Sequence, residues 1–132
     1  MELPRKWKGD RMRAAIYARV GNPDQVAVRH QAEVLTGQIR GMWGERTEID
    51  IYADNGISGL RTDRPGLQKL LRNAGTYNGV FVYNMSRLSR SVPDAVGLVR
   101  QLKNQGAELY AADRNMAGIT EEILKAVSDI PT

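Results

Sequence analysis

Hydrophobic and polar positions follow two rhythms along this chain. "RAAIYARV" (Arg13–Val20) is a near-continuous apolar run, as in a central parallel strand covered on both faces. Asn22, Pro23 and Gln25 then read as an N-cap, a first-turn proline and a polar third residue of a helix. Val28, Ala32, Leu35, Ile39 and Met42 recur at helical spacing and give that helix one apolar stripe. "EIDIYAD" (Glu48–Asp54) alternates more strictly, as a second strand, and runs into the loop "NGISGLRTDRPG". Pro65 opens a second helix through Leu67, Leu70 and Leu71. "YNGVFVYN" (Tyr77–Asn84) is a third strand, followed by "MSRLSRS". Ser91 and Asp94 form a capping box for a helix bearing Val92, Val96, Val99 and Leu102. "AELYAAD" (Ala107–Asp113) is a fourth strand, and Gly118–Ser128 reads as a short final helix. This alternating order predicts an α/β fold of three layers, a mostly parallel sheet with helices on both faces.

Composition narrows the chemistry. At 132 residues and 42% hydrophobic content, one domain with a real core is expected. The chain has no cysteine and one histidine, which excludes thiolate sites and leaves no basis for a histidine metal site or a Ser-His-Asp triad. His30 falls on the polar side of the first helix and is read as solvated. Met42, Trp43, Met85 and Met116 are read as core or rim packing. No apolar run approaches the ~20 residues of a membrane span, so a soluble cytoplasmic protein with no membrane partner is expected. The net charge of +4 permits a polyanionic partner without demanding one. Much of the excess lies in "RKWKGDRMR", so residues 1–12 are read as a basic leader before a domain spanning 13–132.

In an open α/β sheet the carboxyl ends of the strands hold the functional crevice. The first strand ends with Arg19 and Gly21, and the second with Asp54 and a loop carrying Ser58, Arg61, Asp63 and Arg64. The third is followed by Ser86, Arg87, Ser89 and Arg90. Arginines from three loops thus share one sheet edge. Their guanidinium forks suit phosphate oxygens, and a cluster of them repels itself unless an anion sits between. Any single one is as well explained as a surface arginine, and Arg61 is read that way. Arg19 is harder to dismiss, since it ends an otherwise buried strand. Neither G-x-x-x-x-G-K-S/T nor G-x-G-x-x-G follows a strand, so no nucleotide cofactor is indicated.

"YARVGNPDQ", "YADNGISGLRTDRPGLQKLL" and "VYNMSRLSRS" together resemble the signature blocks of the serine recombinases, the group of resolvases, invertases and large serine integrases. The similarity runs from about Ala14 to Asp113 in the right order. It implies a resolvase-like catalytic domain that attacks a DNA phosphodiester through a serine hydroxyl. The product is a 5′-phosphoserine link, formed and resealed without metal or other cofactor. It implies DNA as partner, a homodimer or tetramer built through a C-terminal helix, and a prokaryotic, phage, plasmid or transposon origin. Arg19, Arg64, Arg87 and Arg90 match the phosphate-binding arginines, Gln25 a polar active-site residue, and Asp54 an acidic support. Ser58 matches a hydroxyl of the same loop, and Ser86 stands where many members carry aspartate.

Gly21 departs from the pattern: it occupies the place of the nucleophilic serine, and no serine or threonine precedes Thr36 to replace it. A purely structural reason for glycine would be a positive backbone dihedral. The chain also stops at Thr132, where recombinases continue into a dimer helix and a DNA-binding domain. Three readings follow: a recombinase catalytic domain whose nucleophile has been replaced, a natural inactive relative acting as a regulatory module that binds DNA or a recombinase, or an unrelated phosphate-binding α/β protein.

Overall fold

The computed structural model describes residues 11–61, 63–114, 120 and 123–125. Four strands, β1 (Arg13–Val20), β2 (Glu48–Asn55), β3 (Gly79–Val82) and β4 (Glu108–Ala111), form one sheet in the order β2-β1-β3-β4. Every pairing is parallel. The described helices are α1 (Gln25–Trp43), α2 (Pro65–Asn73), α3 (Met85–Leu88) and α4 (Val92–Asn104).

The near-continuous apolar run of β1 is explained by its position, because helices cover both of its faces. Ala14 and Ile16 meet Leu35 and Ile39 of α1 on one face, with Phe81. Ala15 and Tyr17 share the other face with Leu67 and Leu70 of α2, Leu88 of α3, and Leu98, Val99 and Leu102 of α4. The three-layer expectation is met. At the amino end of β3, Trp43 stands edge-on to Phe81 at 5.1 Å, and Phe81 stacks on Tyr110 at 4.6 Å. The rings close around Gly79, where a Cβ would lie 2.8 Å from Tyr110 and 2.9 Å from Trp43.

The chain leaves β1 to β2 on one side and then crosses to β3 on the other. The switch point, where such sheets open a crevice, therefore lies beyond the carboxyl ends of β1 and β3. The two registers sharpen it. β1 pairs with β2 as far as Val20–Asn55, but with β3 only as far as Tyr17–Val82. Arg19 thus has a free side toward β3, and the side chain of Gln31 fills it. That amide accepts from the Arg19 N–H at 3.3 Å and donates to the Arg19 carbonyl at 3.1 Å, standing in for a strand.

Several boundaries differ from the sequence pattern. The cap of α1 is Asp24 rather than Asn22: its carboxylate accepts from the Ala27 N–H at 3.0 Å, and the helix starts at Gln25. β3 is shorter than Tyr77–Asn84, because the Tyr77 N–H closes a 3-10 turn (Ala74–Thr76) and Asn84 caps α3. α3 itself was not foreseen. β4 starts after Ala107, whose N–H closes α4 on Leu102, and gives way at Ala112 to a second 3-10 turn. Met42 and Val92 are exposed rather than buried, at 40% and 69%. Trp43 takes the core place beside Phe81, and Val92 opens α4 on its solvent side. Ser91 caps α4 as expected, but only half of the box forms, since the Asp94 carboxylate turns elsewhere. Of the expected final helix, Thr120 and residues 123–125 are helical, and the rest lies outside the described residues, as do Met116 and residues 1–10. Among the described residues no helix is long and apolar enough to cross a membrane.

Candidate active site

At the end of β1 the chain turns through Gly21, Asn22 and Pro23 into α1. The loop after β2 clasps this turn. Gly56 and Ile57 donate to the Val20 carbonyl at 2.9 and 3.0 Å, and the Asn55 side chain accepts from the Asp24 N–H at 2.8 Å. Gly56 sits at φ +84°, and a Cβ there would come within 2.8 Å of Pro23. Gly21 is under no such constraint. Its backbone avoids the left-handed region, and a Cβ would meet nothing within 4 Å.

Arg19 points to the α2–α4 face and is 1% exposed. Its guanidinium donates to three main-chain carbonyls: Nε to Arg87 at 3.1 Å, Nη1 to Ile57 at 2.9 Å and Nη2 to Ser86 at 2.7 Å. One side chain therefore ties the loop after β2 to α3. Gly59 roofs it, since a Cβ there would lie 2.8 Å from Nη2. Burial lowers the Arg19 pKa from its ordinary value, and repulsion from Arg64, Arg87 and Arg90 lowers it further, partly offset by Tyr17. Arg64, Arg87 and Arg90 thus lie within Coulombic reach of Arg19.

Asp54 sits behind this cluster. Its carboxylate accepts from the N–H groups of Gly66 at 2.7 Å and Leu67 at 3.0 Å, the first turn of α2, and from the Tyr17 hydroxyl at 2.7 Å. A carboxylate at a helix N-terminus is favoured by the orphan N–H groups and the dipole. Burial, then the hydrogen bond to Asp54, pushes the Tyr17 pKa well up, so the hydroxyl stays a donor. Arg64 is also 1% exposed and bonds the Leu88 carbonyl and, at 3.3 Å, Asp94. Asp94 in turn accepts from the Ser89 hydroxyl at 2.7 Å. The Nε atoms of Arg64 and Arg87 are buried without a hydrogen-bond partner among the described residues.

The expected site residues are thus sorted by the structure into several arrangements. Arg19, Arg64, Arg87 and Arg90 converge, Arg90 being exposed while its N–H bonds Gly59 at 3.3 Å. Ser86 lies in the same place, its hydroxyl donated to Asn84 at 2.7 Å. The Ser58 hydroxyl accepts from the Leu60 N–H at 3.1 Å, within its own loop. Gln25 is exposed at the start of α1, where its side-chain oxygen accepts from Asn55 Nδ2 at 3.2 Å. Arg61 stands apart, paired in solvent with Asp63 at 2.6 Å, as its reading as a surface arginine requires. Asn55, Gln31 and Asp94 were not singled out beforehand as site residues. For Gln31 a signal existed: a glutamine inside the stripe of Val28, Ala32 and Leu35. Among the described residues there is no cluster of histidine and carboxylate ligands fit for a metal ion. A cleft of about 410 Å³ lies elsewhere, along β2 at Asp50, Tyr52 and Lys69.

The family model described as "Resolvase, N terminal domain" matches residues 14–130. The transposon Tn552 DNA-invertase BinR of Staphylococcus aureus is 32% identical over 66 residues, covering 50% of this chain and 34% of its own. The DNA-invertase hin of Salmonella typhimurium is 30% identical over 95 residues, 72% of this chain and 45% of its own. The chain therefore spans between a third and a half of the length of these relatives. The crystal structure of the N-terminal catalytic domain of TP901-1 integrase superposes with a TM-score of 0.76 at 27% identity, covering 88% of this chain and 91% of that domain.

Proposed function

This chain belongs to the resolvase N-terminal domain family, the catalytic domains of the serine recombinases, and from that premise we propose that it binds a DNA phosphodiester at its arginine cluster without cutting it. The observation that supports this most is the gathering of Arg19, Arg64, Arg87 and Arg90 around α3, where Arg19 bonds the Ser86 and Arg87 carbonyls, Arg64 bonds the Leu88 carbonyl, and Arg19 and Arg90 both flank Gly59. Two of these side chains keep a buried Nε without a partner among the described residues. Such an array is held at a cost that a bound phosphate would offset. Arg87, half-buried, and Arg90, exposed, are the more accessible members and make the direct contacts. Arg19 and Arg64 are engaged with main-chain carbonyls and hold α3 beneath them.

Cleavage would need a hydroxyl at the turn after β1. Its oxygen would bond phosphorus, the P–O3′ bond would break, and the released 3′ oxygen would take up a proton. Gly21 brings no such oxygen, and the hydroxyls of Ser58 and Ser86 are engaged within their own segments. The open space at Gly21 supports reading the glycine as a missing side chain rather than a backbone requirement. Gly21, Gln25 and Asp54 then serve as turn, polar flank and strut.

The test is DNA binding followed across salt concentration. A fluorescein-labelled duplex should bind weakly, with affinity falling as salt rises, because phosphate contacts release counterions. Arg87→Ala and Arg90→Ala should each weaken binding and flatten the salt slope by about 1. Unchanged binding in both variants would make the cluster ordinary surface charge.

A further inference from the structure

Asn55 sits where the turn after β1 meets the loop after β2. Its carbonyl oxygen accepts from the Asp24 N–H at 2.8 Å, and its Nδ2 donates to Gln25 Oε1 at 3.2 Å. The direction of this chain is determined by chemistry. A main-chain N–H can only donate, so the Asn55 atom facing Asp24 is the oxygen. Its other atom is then the amide nitrogen, which can only donate, so Gln25 must turn its oxygen inward. The two hydrogens on Gln25 Nε2 are left on the outer side. That nitrogen has no partner among the described residues, and Gln25 is exposed.

We propose that Asn55 is a positioning residue that holds Gln25 with its amide hydrogens outward, as donors to a phosphate oxygen bound beside the Gly21 turn. This rests on the phosphate-binding reading above. A freely rotating glutamine offers oxygen and nitrogen equally, and an oxygen facing a phosphate repels it. Asn55 removes the wrong orientation, at a position the pairing of Val20 with Asn55 places next to the turn.

The experiment is a double-mutant cycle on the whole chain, read as affinity for the fluorescein-labelled duplex at low salt, with Arg87→Ala in parallel. Gln25→Ala should weaken binding about fivefold, the range of one ordinary hydrogen bond. Asn55→Ala should weaken it by a similar factor, and the double variant no more than either alone, since Asn55 acts only through Gln25. Losses that multiply, to about 25-fold on that basis, would assign Asn55 a merely structural role and overturn the proposal. So would unchanged binding by Asn55→Ala. Should that variant fail to fold, Asn55→Asp keeps the acceptor for Asp24 but now demands Nε2 from Gln25, turning its oxygen outward. Its loss should then be larger with Gln25 present than in a Gln25→Ala background, and equal losses would contradict the proposal. If Arg87→Ala also binds unchanged, the phosphate site itself fails. If Arg87→Ala weakens binding while Asn55→Ala does not, only the role of Asn55 fails.

Discussion

A Cβ at position 21 enters open space, whereas at Gly79 it would strike two aromatic rings under 3.0 Å away. The two glycines therefore answer a substitution oppositely. Gly21→Ser should change unfolding free energy by less than about 0.5 kcal/mol, as at an ordinary surface position. Gly79→Ala should cost about 1–3 kcal/mol through overpacking of Trp43 and Tyr110. Urea denaturation of both variants checks this, and a strongly destabilised Gly21→Ser would restore a backbone reason for that glycine. Arg64 makes a sharper demand. Its removal leaves Asp94 and the Leu88 carbonyl without their buried partner, so Arg64→Ala should destabilise the fold by about 3–5 kcal/mol. Lysine should rescue little, because one ammonium cannot span both acceptors as the guanidinium does. A stable Arg64→Ala with weakened DNA binding would make Arg64 a phosphate ligand instead of a strut.

Elements were largely legible in the sequence because the sheet obeys a simple rule. A strand covered on both faces is apolar throughout, and Arg13–Val20 declares itself so. Helix starts marked by Pro65 and Ser91 were equally plain. What stayed hidden depends on contacts between distant segments. Asp24 displaces Asn22 as cap because Asn55, from β2, fixes its N–H. The short α3 is held at its carbonyls by Arg19 and Arg64, and nothing local in "MSRL" announces that. The sequence groups the arginines, yet the burial of Arg19 and Arg64 and the greater exposure of Arg87 and Arg90 follow only from which carbonyls lie near them. Asp54 accepts from the first turn of α2 and from Tyr17, contacts that join segments far apart in the sequence.

For the whole molecule, buried and half-buried tyrosines predict an alkaline limit. Burial and nearby acidic or phenolic groups raise the pKa of Tyr17, Tyr77 and Tyr110 above the ordinary value of 10.0 in the folded state. The unfolded chain therefore loses these protons first. Stability is fully present below about pH 10 and falls as pH rises above it. Denaturation midpoints measured across that range should drop, and Tyr17→Phe should flatten the fall while lowering the plateau through its lost bond to Asp54. A profile flat beyond pH 10 would contradict this.

The resolvase-family fold, the arginine cluster and the open space at Gly21 are what the proposal rests on, that this domain holds DNA phosphate and leaves it intact. The most direct measurement is electrophoresis of the chain mixed with a nicked DNA duplex, run once under native conditions and once after denaturation in detergent. The account predicts a native complex that disappears completely on denaturation. A detergent-resistant protein–DNA adduct, mapped to Ser58, Ser86 or any other hydroxyl, would contradict it, and so would the absence of any native complex at low salt.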